Sequence, residues 1–151
     1  MKDTVTVNDV RLEIGNLHFE GRFQRELAPR TCAAFESLLP FEHALIQARW
    51  SGEAAWVPLG GLALDIPAEN ATSHPSRGDL LLYPGGASET ELLVPYGSTR
   101  FASRAGQLAG NHFLTLTSGL DQLEELGRRV TWEGAQRIRI SRVATSDEHS
   151  A

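Results

Sequence analysis

The chain is poor in residues that build covalent or metal-held frameworks. It has a single cysteine, Cys32, among 151 residues. That excludes an internal disulfide framework and any site needing several thiolates. It has one lysine beside thirteen arginines, and its formal net charge is −5. No basic field exists to hold a phosphate backbone, so nucleic acid is not an expected partner. The arginine bias reads as the mark of a GC-rich genome, with anion binding as the alternative. No apolar run approaches the ~20 residues that cross a bilayer. The opening "MKDTVTVNDV" lacks the apolar stretch of a secretory leader. The expectation is a cytoplasmic protein with no membrane partner. His43, His74 and His112 fall at no ligand spacing, so neither a metal nor another cofactor is expected. No G-x-S-x-G elbow supports a serine nucleophile at Ser51 or Ser98.

What is present is alternation. Leu12 and Ile14 share one face, "GN" turns, and Leu17, Phe19, Gly21 and Phe23 share the next. "APRTCAAFESLLP" reads as a helix with Pro29 at its first position, a stripe of Cys32, Phe35, Leu38 and Leu39, and Pro40 as its stop. Cys32 on that stripe reads as a small core residue. "HALIQARW" predicts a strand with Ala44, Ile46, Ala48 and Trp50 on the apolar face. "AAWVPL", "GDLLLYP", "TELLVPY" and "HFLTLT" predict further short strands. "SGLDQLEELG" predicts a second helix, with Ser118 as cap, Asp121 three residues on, Gly127 as closure and Leu120, Leu123 and Leu126 buried. "AQRIRISRV" predicts a last strand with Ile138 and Ile140 inward. Many strands with one early and one late helix predict a mainly β, largely antiparallel barrel, capped by helices. Phe19, Phe23, Phe35, Ile46, Leu114 and Ile140 are expected in one core.

"NLHFEGRFQRELAPRTCAAFESLLP" resembles the opening of the cyclophilin fold, where a strand ending in an F-E-L-like pattern leads to a proline, a threonine and a helix carrying a phenylalanine. "RGDLLLYPGG", "PYGSTRFASRAGQLAGNHF" and "ARWSGEAAWVP" are similar to a small bacterial family with a cyclophilin-like fold and no assigned function. The resemblance spans roughly residues 10 to 143. It implies a cyclophilin-like closed β-barrel of about eight mostly antiparallel strands with two capping helices. Residues 1–143 would form that single domain, and 144–151, "ATSDEHSA", a polar frayed tail. Working prolyl isomerases carry a phenylalanine, histidine, arginine run and a glutamine, glycine, glycine stretch. Here "FEHALIQARWSGEAAWVPLGGLALD" offers only "LGG" and an Arg49 in a different local sequence. No useful acceleration of proline cis/trans exchange is therefore expected. The uncatalysed exchange takes tens of seconds or longer, so a peptide assay reads it cleanly. Rapid turnover that disappears in Arg49→Ala would reverse this and favour a prolyl isomerase with a divergent groove.

Two segments combine arginine, glycine and aromatic residues. In "QARWSGEAAW" a continuing strand would point Arg49, Ser51 and Glu53 the same way. Arg49 then anchors a carboxylate or carbonyl. Glu53 serves as acid/base or as the partner that holds Arg49. The plainer alternative is a surface ion pair. Trp56 is a candidate wall. The second segment, Tyr96 to Asn111, is a long excursion offering Tyr96, Arg100, Arg104, Gln107 and Asn111 to a ligand, or else a hairpin packed by Phe101 and Leu108. The two segments are expected to form opposite walls of one site for a small polar, carboxylate or amide metabolite. The expected chemistry, if any, is a lyase, isomerase or amide-hydrolysing step. A non-catalytic interaction module, homo-oligomeric in its simplest form, is the remaining reading.

Overall fold

The computed structural model describes residues 8–143. The predicted tail at 144–151 lies outside them. β1 (Val10–Ile14) and β2 (Leu17–Phe23) form the expected hairpin around Gly15 and Asn16. Their alternation buries Val10, Leu12, Ile14, Leu17, Phe19 and Phe23. α1 (Pro29–Glu36) starts at Pro29 as predicted and buries Thr31, Cys32 and Phe35. β3 (Phe41–Gln47), β4 (Gly52–Gly60), the short β5 (Ala71–Thr72), β6 (Asp79–Tyr83) and β7 (Thr90–Thr99) follow. A two-residue ribbon, β8 (Ala102–Ser103) and β9 (Gly106–Gln107), precedes β10 (Gly110–Ser118). A 3-10 turn, Leu120–Gln122, opens into α2 (Leu123–Trp132), and β11 (Gln136–Arg142) ends the described chain.

Hydrogen bonding runs β2-β1-β11-β3-β4-β7-β6-β10, and β10 pairs back onto β2. The result is a closed, antiparallel, eight-stranded barrel, with β5 attached to β10. A barrel of eight strands has an interior just wide enough for side chains. That interior is filled by Phe19, Phe23, Phe35, Phe41 and Phe113 with the inward aliphatics of every barrel strand. Ring centroids of Phe35 and Phe113 lie 4.9 Å apart, and those of Phe35 and Phe41 5.1 Å. A ligand therefore has to sit outside the barrel wall. Cys32 is buried here as expected. Its S–H faces the Phe113 carbonyl at 3.4 Å, and burial pushes the thiol pKa up to about 11, so it is chemically quiet.

Three sequence expectations are corrected. In β3 the buried residues are Phe41 and Leu45, so Ile46 faces away from the main core and Ala44 is exposed. Trp50 is not a core residue, being 54% exposed. The second helix does not close at Gly127 and has no side-chain cap; it runs to Trp132. Gly127 instead lies against Tyr96, where any Cβ would collide with the ring.

Candidate functional site

The barrel has a second apolar cluster on the other face of three of its strands. Leu80, Leu82, Leu92, Val94, Ala55 and Val57 point inward. Their neighbours Leu81, Tyr83, Leu93 and Ala54 point outward, and Phe101 and Leu108 cover them. Phe101 meets the Tyr83 ring edge-on with centroids 5.6 Å apart. The excursion after β7 is thus held on the outside of the wall by its own two apolar residues. This is the packed-hairpin alternative, and it also walls a cavity.

The other wall is the turn between β3 and β4. The strand does not continue from 43 through 53 as predicted. It stops at Gln47, and Ser51 N–H donates to the Ala48 carbonyl at 3.3 Å, closing a tight corner. Gly52 then enters β4 at a φ of 86°. Ser51, only 3% exposed, joins the two walls. Its hydroxyl donates to the Ala102 carbonyl and accepts the Ala102 N–H, each at 3.1 Å. Its carbonyl accepts Arg100 N–H at 3.1 Å.

Between the walls lies a cavity of about 420 Å³. Such a volume suits a small metabolite. Arg49, Trp50, Ser51 and Trp56 line it from one side, Ala102, Ser103 and Arg104 from the other. Glu91 of β7 and Glu89 just before that strand complete it. Glu91 is the unusual group. It is paired in the sheet with Pro58 and Tyr83, and only 5% of its surface is exposed. Among the described residues its carboxyl accepts no hydrogen bond and joins no ion pair. Burial, assisted by the nearby charge of Glu89, pushes its pKa up to about 8. At neutral pH this carboxyl is therefore mostly protonated.

A family profile described as "Protein of unknown function (DUF3830)" matches residues 10–142. The chain belongs to this family. No curated protein matches it. Among solved structures it is similar to McbB in complex with tryptophan, with a TM-score of 0.65 and 17% identity. That match covers 90% of this chain and 45% of the McbB chain, so the chain spans less than half of McbB's length. At that identity the likeness is one of fold.

In this DUF3830 barrel the structure brings four of the sequence candidates together: Arg49, Ser51, Trp56 and Arg104 all line the cavity. The others lie elsewhere. Glu53 is parted from Arg49 by the turn. It lines a separate groove of about 510 Å³ with Gln47, Tyr96 and α2. There its carboxylate accepts the Ser98 N–H at 2.7 Å and folds over Gly97, where a Cβ would strike it. Tyr96 donates its hydroxyl proton to Gln47 Oε1 at 2.6 Å. Asn111 is buried and fully engaged. Its Nδ2 donates to Thr31 Oγ1 and the Pro67 carbonyl, and its Oδ1 accepts Glu69 N–H. Arg100 lines a shallow groove beside Trp50 and Ser98. Gln107 is exposed on the ribbon. A larger depression of about 670 Å³ lies between Leu38, Pro40, His43 and Leu62, but no buried polar side chain opens onto it. Sequence reading missed Glu91. Its one signal was a lone acidic residue in the otherwise apolar run "TELLVPY".

Proposed function

We propose that the cavity between the 48–51 turn and the β8–β9 ribbon binds a small polar metabolite bearing a carboxylate or amide. Arg49 and Arg104 anchor it at the exposed rim, and Trp56 forms its apolar wall. The barrel is proposed to be of the cyclophilin-like type, on the strength of the sequence resemblance over residues 10–143. The observation that carries the reading is Glu91, a carboxyl residue only 5% exposed that joins no ion pair among the described residues and whose oxygens stay accessible from a cavity rimmed by guanidinium groups. Holding a carboxyl in so little water raises its pKa, and titratable groups perturbed in this way concentrate at ligand sites. Glu91, not Glu53, is then the group suited to exchange a proton in a lyase, isomerase or amide-hydrolysing step. Tryptophan sits in the McbB structure, whose barrel is similar; that supports small-molecule binding on this fold without assigning a residue.

The test is a thermal-shift screen of small carboxylates and amides. A ligand at ~100 times its dissociation constant adds ~2.7 kcal/mol of stability. Arg49 is exposed and makes no ion pair among the described residues. Arg49→Ala should abolish the ligand-induced shift and leave the unliganded melting temperature nearly unchanged. A screen in which nothing stabilises the protein, or a shift that survives both Arg49→Ala and Arg104→Ala, sinks the reading.

A further inference from the structure

We infer that the cavity takes a zwitterionic ligand with its amine turned inward to Glu91 and its carboxylate outward to Arg49 and Arg104. The inference rests on the cavity being a ligand site and adds the chemistry of the ligand's inner end. It follows from how charge is layered. The acid, Glu91, is buried, whereas both arginines are exposed at the mouth. Neither arginine reaches Glu91 to pair with it, so the inner end lacks a cation of its own. The groups around Glu91 are few. Tyr83 faces it across the sheet from β6, and its hydroxyl already accepts the Ala87 N–H. Pro58 faces it from β4 and carries no charge. Glu89, two residues away, accepts the Gly60 N–H at 2.9 Å. Arg49 comes from the β3–β4 turn and Arg104 from the ribbon. No histidine lines the cavity.

An entering ammonium supplies a cation and charge-assisted hydrogen-bond donors to this carboxyl together. On its arrival the Glu91 O–H bond breaks and the proton leaves to solvent. The carboxylate keeps the electron pair and accepts an N–H from the ligand's ammonium, which keeps its own protons. One proton is released per amine bound. A ligand presenting only a carbonyl would instead accept the Glu91 O–H and release none. Trp56, Trp50 and Ile46 give the cavity flat apolar walls, so the ligand's body is best matched by an aromatic ring.

The experiment measures the affinity of the full chain for three probes, tryptophan, tryptamine and indole-3-propionate, at pH 6, 7 and 8. With the Glu91 carboxyl at about 8, the affinity for tryptophan and tryptamine should rise about ninefold from pH 6 to 7 and about fivefold from pH 7 to 8. Indole-3-propionate, which has no amine, should bind more weakly and show no such rise. Glu91→Gln should flatten the pH dependence and remove the advantage of the amine probes, and its unliganded melting curve reports whether it is folded. The wild-type slope stands as a test even if that variant does not fold. Tighter binding of indole-3-propionate than of tryptophan, or amine affinity that stays flat or falls with pH, overturns the inference and leaves the cavity reading in place. Binding of none of the three also overturns it, while the broader screen of carboxylates and amides decides the cavity separately.

Discussion

Replacing Glu91 by glutamine should leave stability nearly unchanged at pH 4 and raise it by roughly 3–5 kcal/mol over wild type at pH 8. The sign follows from where the proton sits. In the unfolded chain Glu91 ionises near the ordinary value of 4.5; in the folded chain burial holds it protonated up to about 8. Between those values the folded state binds the extra proton. Wild-type stability therefore falls as pH rises through this window, and the loss is complete once the folded carboxyl ionises. Glutamine has the same shape and no proton to lose, so it escapes the fall. Carboxylates held by arginines work in the opposite direction and in another window. Glu36, hydrogen-bonded by Arg25 and then Arg142, is pulled down to about 2, and Glu125 is pulled down likewise by Arg128 and Arg129. Their stabilisation is lost only as pH falls below about 4.5. Denaturant melts of both proteins at pH 4, 6 and 8 isolate the Glu91 contribution. A constant difference across the three would mean that Glu91 is hydrated and ordinary in the folded protein.

The barrel was legible because most of its strands have one covered face. Along Val10–Ile14 and Leu17–Phe23 burial follows the period of two residue by residue, and in the last strand it does so at Ile138 and Ile140. It was misread where both faces are apolar. In β3, Leu45 and Ile46 are adjacent and equally hydrophobic, and only Phe41, at the strand's start, reveals which phase is inward. Gly127 looked like a helix stop because glycine commonly is one; the helix passes through it because Tyr96, from β7, needs the space, and that contact is invisible locally. The two walls of the cavity were visible as compositions rich in arginine, glycine and aromatic residues. The corner at 48–51 was not, because it holds no proline or asparagine and its glycine falls at the corner's far edge. Losing that corner misplaced Glu53. Glu91 could not be found by pattern at all. A single glutamate on an outward strand position is ordinarily solvated, and the residues gathered around this one, Trp56 and Ala102 to Arg104 of the ribbon, come from elsewhere in the chain.

Gly52→Ala should destabilise the protein by about 2–4 kcal/mol and remove ligand binding with it. Two costs add at this position. Gly52 has a φ of 86°, in the left-handed region that side chains rarely adopt, which costs roughly 1–2 kcal/mol. A Cβ there would also lie 2.9 Å from the Ser98 carbonyl oxygen, which is backbone and cannot swing aside. Relief requires the end of β7 to move off the turn. That end leads directly into Arg100 and Ala102, the residues Ser51 holds by three hydrogen bonds. Separating them opens the cavity at its seam. Gly60→Ala provides the control within the same strand. Gly60 has a φ of 61°, but no atom lies within 4 Å of where the alanine methyl would sit, so it bears the backbone cost alone. The difference between the two variants in denaturant unfolding measures the clash with Ser98. Equal losses, or a Gly52→Ala protein that retains ligand-induced stabilisation in full, would show that the two walls are held together by the ribbon's packing on Leu81, Tyr83 and Leu93 and not by the turn.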